Sequence, residues 1–158
     1  MKSKIKKNYA VSALMAVLCI LLFSFHDGKG GEGFEIYLNN KLVLQQFGKQ
    51  MDAVKTIQLD NRFSKDQLTV KYHHCGRVGK GRTITIKDGQ NKILKEWRFI
   101  DVSDAYAAMN CDVKEILGLQ KGNSRLNLYY SSTELPKGRL LASITGGTGN
   151  NTATITFP

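Results

Sequence analysis

Short runs that alternate between apolar and polar residues recur along most of this chain, and they limit its fold more than any other feature. Alternation with a period of two puts every second side chain on one face of an extended strand. Each run therefore asks for a sheet with one buried face and one wet face. In Phe34–Leu38, Phe34, Ile36 and Leu38 oppose Glu35 and Tyr37. Asn39-Asn40 follows, and then Leu42 and Leu44 alternate with Lys41, Val43 and Gln45. Asparagine tolerates positive φ, so this pair predicts a two-residue hairpin turn.

The later runs repeat the theme. Lys55–Leu59 is a strand with Ile57 and Leu59 inward. In Leu68–Gly76, LTVKYHHCG, one face holds Leu68, Val70, Tyr72 and His74, and the other holds Thr69, Lys71, His73 and Cys75. Thr83–Lys87 and Ile93–Ile100 make a hairpin, with Ile84, Ile86, Ile93, Trp97 and Phe99 buried. Arg125–Tyr130, Leu140–Ile144 and Thr152–Phe157 are further strands. The pattern breaks once. Ser103 or Asp101 is placed to cap a short helix over Asp104–Met109. Asn110 is placed to cap a second, with Val113, Ile116 and Leu117 at helical spacing and Gly118 ending it. About eight strands with one or two short helical segments predict an all-β, mainly antiparallel β-sandwich. A partly open β-barrel is the alternative.

The N-terminus has a different character. Lys2, Lys4, Lys6 and Lys7 precede Ala10–Phe25, which carries no charge. That is the form of a signal peptide. If it is retained, residues 9–25 are an anchor and the chain's only membrane contact. As a helix, the uncharged run Ala10–Phe25 spans about 24 Å, short of the roughly 30 Å hydrocarbon core, so removal is favoured. Residues 1–28 are thus read as signal peptide or anchor, and 29–158 as one β-rich exported domain in the periplasm, the cell envelope or the medium. Setting aside the four N-terminal lysines and Asp27 leaves 19 basic and 12 acidic residues, a net charge of +7. A basic exported domain attracts an acidic protein or an anionic envelope polymer. Export argues against nucleic acid.

Cys19 leaves with the leader, so Cys75 and Cys111 remain. In an oxidising compartment an even pair predicts one disulfide, closing a loop of about 36 residues and stabilising by roughly 2–4 kcal/mol. Two other chemistries compete with it. His73, His74, Cys75 and Cys111 are potential ligands for copper or zinc, although adjacent strand residues point to opposite faces. Alternatively, Cys75 or Cys111 acts as a nucleophilic or redox thiol beside a histidine, with the field of a nearby helix acidifying Cys111. No CxxC motif, phosphate loop or calcium loop is present, and no catalytic residue is assigned.

Tyr37 and Tyr129 sit on the wet faces of their strands, and Arg77, Lys80 and Arg82 crowd a glycine-rich turn. These five are the candidate binding residues. The overall profile resembles small secreted or periplasmic β-domain proteins of bacteria, a resemblance of architecture without a shared motif. The first expectation is therefore a non-enzymatic exported β-sandwich, with no cofactor, that binds a protein or an envelope polymer. A periplasmic metal-binding protein and a thiol-dependent enzyme or redox protein are the alternatives.

Overall fold

The computed structural model describes residues 31–77, 79–103, 107–122, 124–147 and 155–156. In chain order the strands are β1 (Gly33–Leu38), β2 (Lys41–Phe47), β3 (Lys55–Leu59), β4 (Gln67–His73), β5 (Thr83–Lys87), β6 (Ile93–Arg98), β7 (Met109–Asp112), β8 (Leu126–Ser131), β9 (Arg139–Gly146) and β10 (Ile155–Thr156). The helix α1 (Val113–Leu119) follows β7 directly, and 3-10 turns at Gly48–Asp52 and Asn61–Phe63 bracket β3. The strands form a four-stranded sheet, β2-β1-β4-β7, and a six-stranded sheet, β10-β3-β9-β8-β5-β6.

The two sheets pack as a β-sandwich. The four-stranded sheet sends Phe34, Ile36, Leu68, Val70, Tyr72 and Met109 into the interior. The other sheet answers with Ile57, Leu59, Ile84, Ile86, Leu128 and Tyr130. The rings of Tyr72 and Tyr130 stack across the gap, 4.2 Å between centroids. Burying apolar area at about 25 cal/mol per Å² is the driving force that clamps the sheets together. Among the described residues the strand pairings are antiparallel except β3 with β9, which run parallel.

The Asn39-Asn40 hairpin forms as expected, with φ of 48° and 65°. Its register carries a surprise. Ile36 pairs with Leu44 and Tyr37 with Leu42, so Val43 is an extra residue, a β-bulge. Val43 therefore turns inward, and Leu42 is left 43% exposed. The same device operates in β6. A shift beside Ile86 swings Ile93 outward to 52% exposure, and Leu94 packs on the core in its place. Trp97 does face inward, against α1, where its Nε1 donates to Glu115 at 3.0 Å.

Asn110 is a strand residue, not a helix cap. It pairs with Thr69, and the Thr69 hydroxyl donates to its Oδ1 at 2.8 Å. The helix starts three residues later and runs through Gly118 to Leu119. The expected helix over Asp104–Met109 does not extend to Met109, which lies in β7. Residues 104–106 fall outside the described set, as do 148–154, which include the glycine-rich turn and the start of the last expected strand.

The leader also falls outside, because residues 1–30 are not among those described. The expected membrane contact through residues 9–25 lies outside the described residues with it. Among the described residues no helix is long and apolar enough to cross a membrane.

Candidate functional site

The end of β4 sends its two histidines in opposite directions, as alternation requires. His73 faces out. Its ring lies 5.6 Å from that of Phe47, and its Nε2 is 3.9 Å from the Glu35 carboxylate. His74 turns in, 2.8 Å from the Tyr130 hydroxyl and 3.4 Å from that of Ser132. Beside it, Tyr72 donates to Glu32 at 2.6 Å, and Arg139 donates to the other Glu32 oxygen at 3.0 Å. Across the sandwich end, Glu134 accepts from the Lys80 amide at 3.0 Å.

A histidine, a serine and a glutamate near one another invite comparison with a catalytic triad. The geometry answers otherwise. Ser132 is buried, and its oxygen accepts from the Leu135 amide at 3.2 Å. Burial pushes the Tyr130 hydroxyl up to about 12. The group is a polar staple between the sheets.

This staple makes stability depend on pH. Burial lowers the His74 pKa below its ordinary 6.5, outweighing Glu134 and Glu32. Burial does the same to His73, with Glu35 opposing and Lys71 assisting. Each imidazole is thus less basic folded than unfolded. As pH falls through 6.5 the unfolded chain takes up more protons, and stability drops from there down to the folded pKa. Glu134 is held below the ordinary carboxylate range: burial raises it, but bonds from backbone amides and Ser132 and the nearby His74 together prevail. Its contribution is lost only at more acid pH. Thermal melts of wild type and His74→Gln at neutral and mildly acid pH check this. The variant is expected to show the shallower decline, and equal declines would refute it.

The cysteines are not bonded; both are free thiols. This corrects the expected disulfide. Cys111 sits opposite Leu68 on β4, whereas Cys75 lies past the far end of that strand. At about 3.3 Å per residue the two are separated by roughly 20 Å, against the roughly 4.4–6.8 Å between Cα atoms that a disulfide needs. Cys75 occupies the exposed tip of a tight turn, with φ of 49°. Cys111 is buried in β7, ahead of the helix. Burial first, then Asp112 and Glu115, pushes its thiol up to about 12, the reverse of the expected acidification. A maleimide is expected to label Cys75 in the native protein at once and Cys111 only on unfolding. Equal labelling rates would contradict that placement.

The same separation divides the proposed metal ligands. His73, His74, Cys75 and Cys111 point outward, inward, to a turn tip and into the core at the other end. Among the described residues, no group of three or more histidine, cysteine, aspartate or glutamate side chains could hold a metal ion.

The candidate binding residues scatter too. Arg77 and Lys80 are exposed. Arg82 is 5% exposed and is corrected from ligand contact to structural tie, donating to the carbonyls of Ala107 and Ile100 at 3.0 and 2.9 Å. Tyr37 and Tyr129 lie on the outer faces of different sheets. The ammonium of Lys87 sits 4.4 Å from the Tyr129 ring centroid, and that of Lys71 sits 5.1 Å from the Tyr37 ring centroid.

Tyr37 opens onto a hollow. A cleft of about 550 Å³ lies on the outward face of the four-stranded sheet. Gln67, Thr69 and Lys71 of β4 form its floor, with Tyr37 beside them on β1. Asn39 and Asn40 close one end from the hairpin turn, Lys65 reaches in from the turn before β4, and Ala108 and Asn110 supply the far wall. The Tyr37 hydroxyl leans away and donates to Glu35 at 2.8 Å. Two ammonium groups, four carboxamides and one aromatic ring thus line a polar depression. Alternation already set Tyr37, Thr69 and Lys71 on a wet face. Ala108 and Asn110 escape a reading by parity, because the pairing of β4 with β7 brings them there, and Lys65 does so because it lies in the turn before β4, outside any alternating run. Comparison of the chain with protein-family models, curated proteins and solved structures finds no match.

Proposed function

We propose that this chain is an exported, non-enzymatic β-sandwich that binds an anionic polymer of the cell envelope. The cleft on the outward face of the four-stranded sheet is the observation that carries the reading. Lys65 and Lys71 are among its lining residues and no carboxylate is among those described, so it favours negative charge. Its volume falls within the roughly 300–1,000 Å³ of small-molecule sites. The basic excess of the domain adds long-range attraction. The roles of His74 and Cys111 in packing favour binding over thiol or acid–base chemistry.

Adsorption of the exported protein to isolated cell envelopes tests this. The protein is expected to sediment with the envelopes at low salt and to be released as salt rises, because exposed charges are screened within about 10 Å at 0.1 M. Recovery of all the protein in the supernatant at low salt would end the proposal.

A further inference from the structure

Resting on that reading, we infer that the cleft on the outward face of the four-stranded sheet recognises a carboxylated polysaccharide. Directional chemistry in the cleft comes from amides. Asn39, Asn40, Gln67 and Asn110 each offer a donor and an acceptor on one planar group, which suits the paired hydroxyls of a sugar ring. Both Asn39 and Asn40 are held at positive φ by the hairpin, and the Asn39 backbone N–H donates to the Gln67 backbone carbonyl at 3.0 Å, which fixes the chain there. That end of the cleft is therefore preorganised, which lowers the entropic cost of binding. Asn110 is oriented by the Thr69 hydroxyl.

The charges are of the compact kind. Lys65 and Lys71 supply ammonium groups, and no arginine fork is among the lining residues. Ammonium groups attract carboxylates as point charges without demanding a fixed approach. That fits acid groups spaced along a hydroxyl-rich chain. A peptide would instead be anchored by large apolar side chains in apolar pockets. Here the apolar contribution is confined to the Tyr37 ring and the Ala108 methyl.

Calorimetric titration of the exported protein with an oligouronate decides the matter. The comparison ligands are the same oligosaccharide with its carboxylates reduced to alcohols, a glycerol phosphate oligomer and oligoglutamate. The oligouronate is expected to bind at least about tenfold more tightly than each of the others, a difference of about 1.4 kcal/mol. The Lys65→Gln/Lys71→Gln double variant is expected to lose about tenfold in affinity for it, while Lys137→Gln, exposed and outside the cleft, keeps wild-type affinity. Equal binding of the reduced oligosaccharide, glycerol phosphate or oligoglutamate overturns the inference, as does an unaffected double variant. If envelopes adsorb the protein but the oligouronate has no advantage, only the polysaccharide assignment fails. If envelopes do not adsorb it, the broader reading fails first.

Discussion

Replacement of Arg82 by leucine is expected to destabilise the protein by on the order of 3 kcal/mol, the loss of two charge-assisted hydrogen bonds at a buried site. Arg82 shares the inward parity of Ile84 and Ile86 just ahead of β5, and it is 5% exposed. Its two terminal nitrogens donate to the carbonyls of Ile100 and Ala107. Ile100 lies just past the end of β6, at the edge of one sheet, and Ala107 lies just ahead of β7, at the edge of the other. The guanidinium thus ties down both ends of the crossover. Leucine fills part of the volume but leaves two carbonyls unpaired. Lysine at this position is expected to recover little, because one ammonium cannot reproduce a planar fork. Urea denaturation of both variants gives the measurement. A leucine variant within about 0.5 kcal/mol of wild type would mean that the tie is dispensable, since changes of that size are typical of surface sites.

The second large effect is expected at Gly79, which is buried against the polar staple. A methyl group added there would sit 2.5 Å from the Tyr130 hydroxyl and 2.8 Å from His74 Nε2. Neither group is the loose end of an exposed side chain, since they hydrogen-bond to each other at 2.8 Å. Gly79→Ala must push the turn outward or break that bond. The expected cost is about 2 kcal/mol, the ordinary penalty for overpacking. Tyr130→Phe alone is expected to cost about 1 kcal/mol for the lost hydrogen bond. Combined, the two should cost less than their sum, because removing the hydroxyl makes room for the methyl. Strict additivity in denaturation experiments would count against this steric account.

Much of the architecture could be read from alternation alone. The hairpin at Asn39-Asn40, the pair β5 and β6, and the divergence of His73 and His74 all follow from a period of two and the tolerance of asparagine for positive φ. Alternation fails where a bulge inserts a residue. Leu42 and Val43 exchange places, as do Ile93 and Leu94, because one extra residue reverses parity for everything beyond it. Nothing local announces such an insertion when both neighbours are apolar. The disulfide expectation fails for a different reason. Counting cysteines carries no information about register, and register puts Cys111 at one end of β4 and Cys75 beyond the other. Asn110 was read as a helix cap because asparagine suits that position, yet the hydrogen bond from Thr69 and pairing with β4 hold it in a strand. The cleft was legible only in part: its β1 and β4 residues follow from parity, whereas Asn110 arrives through strand pairing.

The parallel pairing of β3 with β9 bears on how the chain comes to be folded at all. Lys55 aligns with Ala142 and Leu59 with Gly146, so β3 is made early and waits for a neighbour specified near the other end of the sequence. Its other neighbour, β10, lies still further along. During synthesis, β3 is therefore an orphan strand with both edges open, while β1, β2 and β4 can already associate. Closing such a long loop is slow, and unpaired edges invite association with other chains in the meantime. β3 gains its first neighbour only after β9 has emerged, and the six-stranded sheet is completed only by β10, so a chain truncated before Arg139 would strand β3 without either of its neighbours.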